Sequence, residues 1–213
     1  EQHAVTLAGG MSCGGLKPII AIYSTFLQRA YDQLIHDIVV QDLDILLAID
    51  RAGIVGADGE THQGIYDISF LRILPKIVLM TPSDESEMWK MLSTGQKHKG
   101  LAAVRYPRGY SQGEDINLDN TTIEIGKSRI IQKGSKIAYL VFGTLLNTVK
   151  KVAKKNGGTI VDMRFVKPID ENMIIDICNT HDYIFTVEDN VILGGAGTAV
   201  NEVMSKYSLK NNL

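Results

Sequence analysis

The chain is poor in the features that would assign it to a membrane, a secreted scaffold or a nucleic acid. No apolar run approaches the roughly 20 residues that cross a bilayer, and no secretory leader is expected. Only two cysteines occur, Cys13 and Cys178. They lie far apart and have neither a metal nor a redox spacing, so both read as reduced, packed thiols of a cytoplasmic protein. Charge of one sign is also scarce: 22 Lys and Arg against 24 Asp and Glu leave a net charge of -2 over 213 residues. The lysines do not stripe one face, so no nucleic acid and no membrane partner are expected. The densest basic group, Lys150-Lys151 and Lys154-Lys155, has helical spacing and reads as a solvated face. An initial methionine is missing too: Glu1 runs straight into a helical pattern, and Asn211-Asn212-Leu213 follows another helix. Both ends look cut, as in a piece of a larger polypeptide.

What is present is an ordinary globular composition, 45% hydrophobic and 22% charged, which excludes a disordered chain. Residues 1–110 alternate helix-like and strand-like segments. Glu1 to Cys13 is helix-like and stops at Gly14-Gly15. Strands are expected at 18–23, 44–49, 77–80 and 102–106. Between 25 and 40, Phe26, Ala30, Leu34 and Ile38 recur every four residues and form the buried face of a helix. Thr81-Pro82-Ser83-Asp84-Glu85 reads as a helix start with a hydroxyl cap and early acids. The polar stretch 111–123 reads as a linker. A second unit follows, with strands near 125–131, 136–142, 159–163 and 183–187 and helices near 145–156, 170–179 and 196–206. The expected fold is therefore α/β, two domains, each with a mostly parallel sheet flanked by helices.

The chemistry concentrates in Asp50 to Gly64, after the apolar run Asp44-Ile45-Leu46-Leu47-Ala48-Ile49. Glycines loosen the backbone there, while Arg51, Asp58 and His62 supply a cation, a carboxylate and a group that titrates near neutrality. Ligands of open parallel sheets bind beyond the carboxyl ends of the strands. A loop of this composition in that place is a site candidate, against the plainer reading of a polar surface connector. Two other strand ends carry chemistry: Tyr23 through Arg29, and Arg105 through Arg108. Converging arginines suit a phosphorylated ligand, because guanidinium forks bind phosphate oxygens in pairs. Taken singly, each arginine could be a surface salt bridge, and Arg105 is read that way. Tyr31, on the apolar face of its helix, reads as a core aromatic. Gly194-Gly195-Ala196-Gly197 could cradle phosphate at a helix N-terminus, but the full dinucleotide spacing is absent, so close helix packing is the better reading. His36, His98 and His181 are assigned to solvent or structure.

Several ordered motifs carry a resemblance. Glu1-Gln2-His3-Ala4-Val5-Thr6, Tyr23 through Gln33, Asp50 through Gly64, Met80 through Glu85 and Val104 through Gly109 resemble the 1-deoxy-D-xylulose-5-phosphate synthases, transketolase-like enzymes dependent on thiamine diphosphate. Val161 through Pro168 and Val187-Glu188-Asp189-Asn190 continue the match. The resemblance implies a pyrimidine-binding domain at 1–110, the linker at 111–123, and a transketolase C-terminal-like domain at 124–213 that is incomplete. It also implies an absent N-terminal domain holding the magnesium ligands and the diphosphate site.

By position in the motifs, the resemblance places Glu1 on the aminopyrimidine ring of thiamine diphosphate, where a carboxyl favours the imino tautomer that generates the reactive carbon. It places Phe26 against that ring and Arg29 beside it. Tyr23, Arg51 and Arg108 would hold the phosphate of D-glyceraldehyde 3-phosphate. Asp58 and His62 would contact substrate hydroxyls and carbonyl, with His62 relaying protons. The implied reaction condenses pyruvate with that aldehyde and releases carbon dioxide, the first step of the non-mevalonate isoprenoid route, in a cytoplasmic homodimer. Two alternatives remain. A transketolase or 2-oxoacid dehydrogenase β-type subunit would use ketose donors or a lipoyl acceptor. A non-catalytic paralogue would show no dependence on thiamine. This chain alone should not turn over.

Overall fold

In the computed structural model, which describes residues 1–109 and 120–210, the first sheet grows from strands buried on both faces. β1 (Ile19–Tyr23), β2 (Leu46–Asp50), β3 (Val78–Met80) and β4 (Ala102–Arg105) are parallel. Continuous apolar runs such as Leu46-Leu47-Ala48-Ile49 suit this, since helices cover both faces of a parallel sheet. α1 (Gln2–Cys13) packs on the sequence-predicted helix at 25–40, with Gly9 close enough to Ile38 that an added Cβ would sit 3.1 Å from its Cδ1.

That second helix is not regular. It runs as α2 (Ser24–Leu27), a 3₁₀ turn (Gln28–Ala30), α3 (Tyr31–Gln33) and a π turn (Leu34–Val39). The backbone departs from helical angles at Ala30 (φ -108°, ψ 17°). The wider final turn still keeps Leu34 and Ile38 fully buried, so the four-residue apolar spacing is satisfied without one continuous α-helix.

A short helix absent from the sequence reading, α4 (Asp67–Arg72), follows the glycine loop. α5 (Glu85–Lys97) then begins where a helix start is expected, but its cap is a carboxylate rather than a hydroxyl: Asp84 accepts from the Glu87 amide at 2.7 Å. Ser83, buried at the contact between the two halves, donates instead to Asp162 at 2.8 Å. Asp84→Ala should cost about 1 kcal/mol of stability through loss of this cap, read as a lowered denaturation midpoint.

The second sheet contains β5 (Arg129–Gln132), β6 (Lys136–Val141), β7 (Thr159–Asp162) and β9 (His181–Val187) in the order β5-β7-β6-β9. β6, β7 and β9 are parallel and β5 is an antiparallel edge. α6 (Leu146–Asn156), α7 (Glu171–Thr180) and α8 (Ala196–Lys206) flank it. The lysines of α6 lie on its outer side, Lys151, Lys154 and Lys155 being exposed. One strand crosses between the units. β8 (Phe165–Lys167) joins the first sheet antiparallel to β3, giving the order β1-β2-β4-β3-β8. A three-residue strand flanked by Arg164 and Pro168 carries too little periodicity to be read from sequence.

The two units also share buried charge. Arg164 donates two hydrogen bonds to Glu87, at 2.7 and 3.0 Å, and Arg129 pairs with both Glu87 and Asp162. One apolar cluster runs from Val5 and Ile68 of the first unit to Val166, Ile174 and Val200 of the second. Most of the expected linker, 111–119, lies outside the described residues; at its end the Ile123 amide donates to Thr94. Cys178 is buried as expected, but Cys13 is exposed at the end of α1 and is not a packed thiol. Among the described residues no helix is long and apolar enough to cross a membrane.

Candidate active site at the strand ends

The site forms where β1, β2 and β4 end side by side. β1 ends at Tyr23 and β2 at Asp50, which are register partners, and Ile49 pairs with Arg105 of β4. The chain then turns sharply: Arg51 adopts φ 54°, and its amide donates to Asp50 at 2.6 Å. Ala52 is pinned to the Tyr106 carbonyl at 3.0 Å. Gly53 and Gly64 close the loop by exchanging two backbone hydrogen bonds, at 2.6 and 2.9 Å. Glycine is required at both. A Cβ on Gly53, which has φ 79°, would overlap the Asp189 carboxylate, and one on Gly64 would overlap the Arg51 carbonyl.

From this neck the loop presents its chemistry to α2. Arg51 donates to the Tyr23 hydroxyl at 2.8 Å and its guanidinium lies 4.2 Å from the ring centre. Hydrogen bonding to Tyr23, with Asp58 beside it, raises the Arg51 pKa and keeps the cation firmly protonated. Asp58 accepts from both Arg51 and Arg108, one carboxylate oxygen to each. Tyr23 stacks on Phe26 with ring centres 4.9 Å apart, and Phe26 meets the His62 ring edge-on at 5.3 Å. Arg29 lies 5.4 Å from the centre of the Phe26 ring and pairs with Glu1 at 3.5 Å. Thr61 lies 3.0 Å from His62 Nδ1, and its carbonyl accepts from Thr25 of α2 at 3.2 Å.

All eight residues singled out from sequence therefore meet in one connected cluster. Glu1, Arg29, Phe26 and His62 occupy one end; Tyr23, Arg51, Asp58 and Arg108 occupy the other. The Nε of Arg51 is buried and has no hydrogen-bond partner among the described residues.

Other expectations need correction. Arg105 is not a surface salt bridge. Its side chain is 3% exposed, and it donates to Asp67 at 2.7 Å, to Asp189 at 2.5 Å and to the Gly64 carbonyl at 3.3 Å. A strand buried on both faces that ends in arginine must supply carboxylates for it, and that was the available signal. Asp67 and Asp189 gave none of their own, because their partner is 38 and 84 residues away. Burial pushes the Asp67 carboxyl upward, with Arg105 opposing the shift. The Gly194-Gly195-Ala196-Gly197 turn holds a carboxylate of this same chain: Glu188 accepts from the Ala196 and Gly197 amides, each at 2.8 Å. A Cβ on Gly195 would sit 2.7 Å from both Glu188 carboxylate oxygens, so the glycine admits the carboxylate. Burial raises the Glu188 pKa, the two amides opposing it. Tyr31 packs edge-on against Phe70 and donates to its carbonyl at 2.6 Å, in keeping with a core role. Among the described residues no three His, Cys, Asp or Glu side chains group as a metal site.

A mostly parallel open sheet with charged and aromatic side chains gathered at three adjacent strand ends, joined to a second α/β unit, is the two-unit architecture of the transketolase class. Residues 1–112 match the transketolase pyrimidine binding domain and residues 126–212 the transketolase C-terminal domain. The chain belongs to the transketolase family. Within it, the chain is 58% identical over its whole length to a 1-deoxy-D-xylulose-5-phosphate synthase of Francisella philomiragia, covering 34% of that protein. It is 57% identical over 98% of its length to the corresponding Pseudomonas fluorescens synthase, covering 33% of it. The resemblance read from the motifs is thus borne out, and the chain spans about a third of the length of these relatives. In architecture it is similar to a split-gene transketolase described as an inactive β4 tetramer (TM-score 0.87, 24% identity, 97% of this chain and 69% of that one). It is also similar to the transketolase of Campylobacter jejuni (TM-score 0.65, 14% identity, 99% of this chain and 37% of that one).

Proposed function

We propose that this chain supplies the pyrimidine-binding and C-terminal parts of a 1-deoxy-D-xylulose-5-phosphate synthase, divided at 1–110 and 124–213, which condenses pyruvate with D-glyceraldehyde 3-phosphate and releases carbon dioxide. The observation that carries this reading is the unbroken run of contacts from the Glu1 carboxylate, through Arg29, Phe26 and Tyr23, to Arg51 and, across Asp58, to Arg108. One end suits a heteroaromatic ring and the other suits a phosphate.

The residues present fit thiamine diphosphate at its pyrimidine end. Phe26 is a half-buried aromatic ring, and Arg29, which lies over it, pairs with Glu1, a carboxylate able to meet a ring nitrogen. When bound, thiamine diphosphate supplies a nucleophilic carbon that the side chains of a protein cannot offer. Glu1 holds a proton at the pyrimidine nitrogen, and Arg29 keeps that carboxyl in place through their ion pair. Magnesium is part of the proposal, its ligands lying outside this chain. At the other end, Arg51 and Arg108 bind the phosphate of the aldehyde, Arg51 Nε being an available buried donor. Tyr23 orients the Arg51 guanidinium by stacking and by its hydroxyl. Asp58 keeps the two cations adjacent and faces the substrate hydroxyls, while His62, held by Thr61, moves a proton at the substrate oxygen near C2.

Assembly as a homodimer in the cytoplasm is also proposed. In its support, α1 and the segment after it expose Leu7, Met11, Leu16 and Ile19, an apolar surface suited to burial against another chain.

Product formation from pyruvate and D-glyceraldehyde 3-phosphate, measured with the complete polypeptide that contains this chain, tests the reading. Ketol transfer from ketose phosphates in place of pyruvate decarboxylation would overturn it. A charge-assisted hydrogen bond contributes about 1.5–3 kcal/mol. Arg108→Ala should therefore raise KM for the phosphorylated aldehyde roughly 10- to 150-fold and leave KM for pyruvate within about twofold. Equal sensitivity of unphosphorylated D-glyceraldehyde to Arg108→Ala would remove Arg108 from the phosphate site.

A further inference from the structure

Beneath the neck of the glycine loop lies a buried ion triad that bridges the two units. Arg105, at the end of β4, is 3% exposed and reaches Asp67 of α4 and Asp189, which follows β9 of the second unit. The other oxygen of Asp189 lies against Gly53, in the space a side chain would fill, and Arg105 also donates to the Gly64 carbonyl. Gly53 and Gly64 are the two residues that close the loop bearing Asp58 and His62.

We infer that Asp189 and Arg105 are positioning residues: the second unit sets the height and angle of the Asp58–His62 loop by inserting the Asp189 carboxylate under its neck, where Arg105 holds it. This rests on the proposed function only for what the loop does, and its geometric content is independent of the reaction. Two features support it. First, Gly53 and Gly64 have no side chains, so beyond their paired backbone hydrogen bonds and the Ala52–Tyr106 bond the neck is positioned by what packs against it. Second, the segment after Asp189 is tied to the first unit from both sides. The Val191 amide donates to the Ile65 carbonyl at 2.9 Å, and Asn190 donates to the Ser69 hydroxyl at 2.9 Å. The carboxylate is thus delivered by a tethered turn rather than by a free loop. Loss of the Asp189 carboxylate removes an acceptor from Arg105 and opens a space under Gly53, and the loop neck gains freedom.

The test is amide hydrogen exchange over residues 51–66 in the complete enzyme, with KM and kcat measured in parallel. Asp189→Ala should speed exchange in that segment at least tenfold, leave exchange in α8 unchanged, and raise KM for the phosphorylated aldehyde more than KM for pyruvate. Asp189→Asn keeps an oxygen acceptor and the same shape, and should restore most of the protection. Gly53→Ala, which pushes the carboxylate out, should mimic Asp189→Ala. Exchange in 51–66 within twofold of the parent in both Asp189→Ala and Gly53→Ala would overturn the inference, whatever happens to activity. A parent enzyme that fails to condense pyruvate with the aldehyde overturns the functional reading instead, and the exchange data still decide this inference.

Discussion

Replacing Glu1 by alanine is expected to lower kcat by about two to four orders of magnitude, the range contributed by a positioned acid–base group. KM for D-glyceraldehyde 3-phosphate should change little. The reason is the division of the cluster: the Glu1 carboxylate pairs with Arg29, whereas the arginines that face the phosphate are held by Tyr23 and Asp58. Glu1→Gln keeps the size and one acceptor oxygen but cannot hold a charge-assisted proton at a ring nitrogen, so it should recover little of the lost rate. Arg29→Ala should cost much less, since that pair is 3.5 Å long with the arginine side chain 63% exposed, and exposed pairs contribute at most about 1 kcal/mol. Steady-state rates with saturating thiamine diphosphate check this. A kcat for Glu1→Ala within threefold of the parent sinks the assignment.

The largest stability effect should come from Arg105→Ala, which leaves the buried Asp67 and the partly buried Asp189 without their cation. Breaking a buried pair by deleting one partner costs about 3–5 kcal/mol. At about 2–4 °C per kcal/mol for a chain of this size, that is a fall in Tm of about 6–20 °C. The loss should also depend on pH. Burial already raises Asp67 above the ordinary carboxylate range while Arg105 opposes the shift, so removing Arg105 raises it further. A carboxyl with a raised folded-state pKa contributes its stability below its unfolded pKa and loses it as pH rises through the folded value. The deficit of Arg105→Ala should therefore be smallest in acid and grow toward neutral pH. Arg108→Ala, whose side chain is 52% exposed, should shift stability by no more than about 1 kcal/mol. Calorimetric scans of the three proteins from acid to neutral pH separate these cases.

Much of the architecture was legible along the chain. The apolar runs at 46–49 and 102–104 mark strands covered on both faces, and glycine-rich punctuation marks the loop after β2. The site segments after β1, β2 and β4 were legible because three strand ends of one parallel sheet must open on the same side, whereas Glu1 was placed there only by the resemblance of its motif. Less was legible where long-range pairing decides. The expected hydroxyl cap is replaced by the Asp84 carboxylate, while the Ser83 hydroxyl donates to Asp162, 79 residues away. β8 was invisible because three residues acquire strand geometry only by borrowing the edge of a sheet built by another unit. Arg105 looked like any charged residue at a strand end until the fold buried it.

By itself, the sequence determined the order and type of the elements and the residue chemistry gathered beyond β1, β2 and β4, because apolar period and glycine placement act over a few residues. Only the tertiary structure decided which charges face water and which sit dry beneath the loop. An ion pair between residues 84 apart exists only once the fold has brought their side chains within 2.5 Å, and no local pattern encodes that distance.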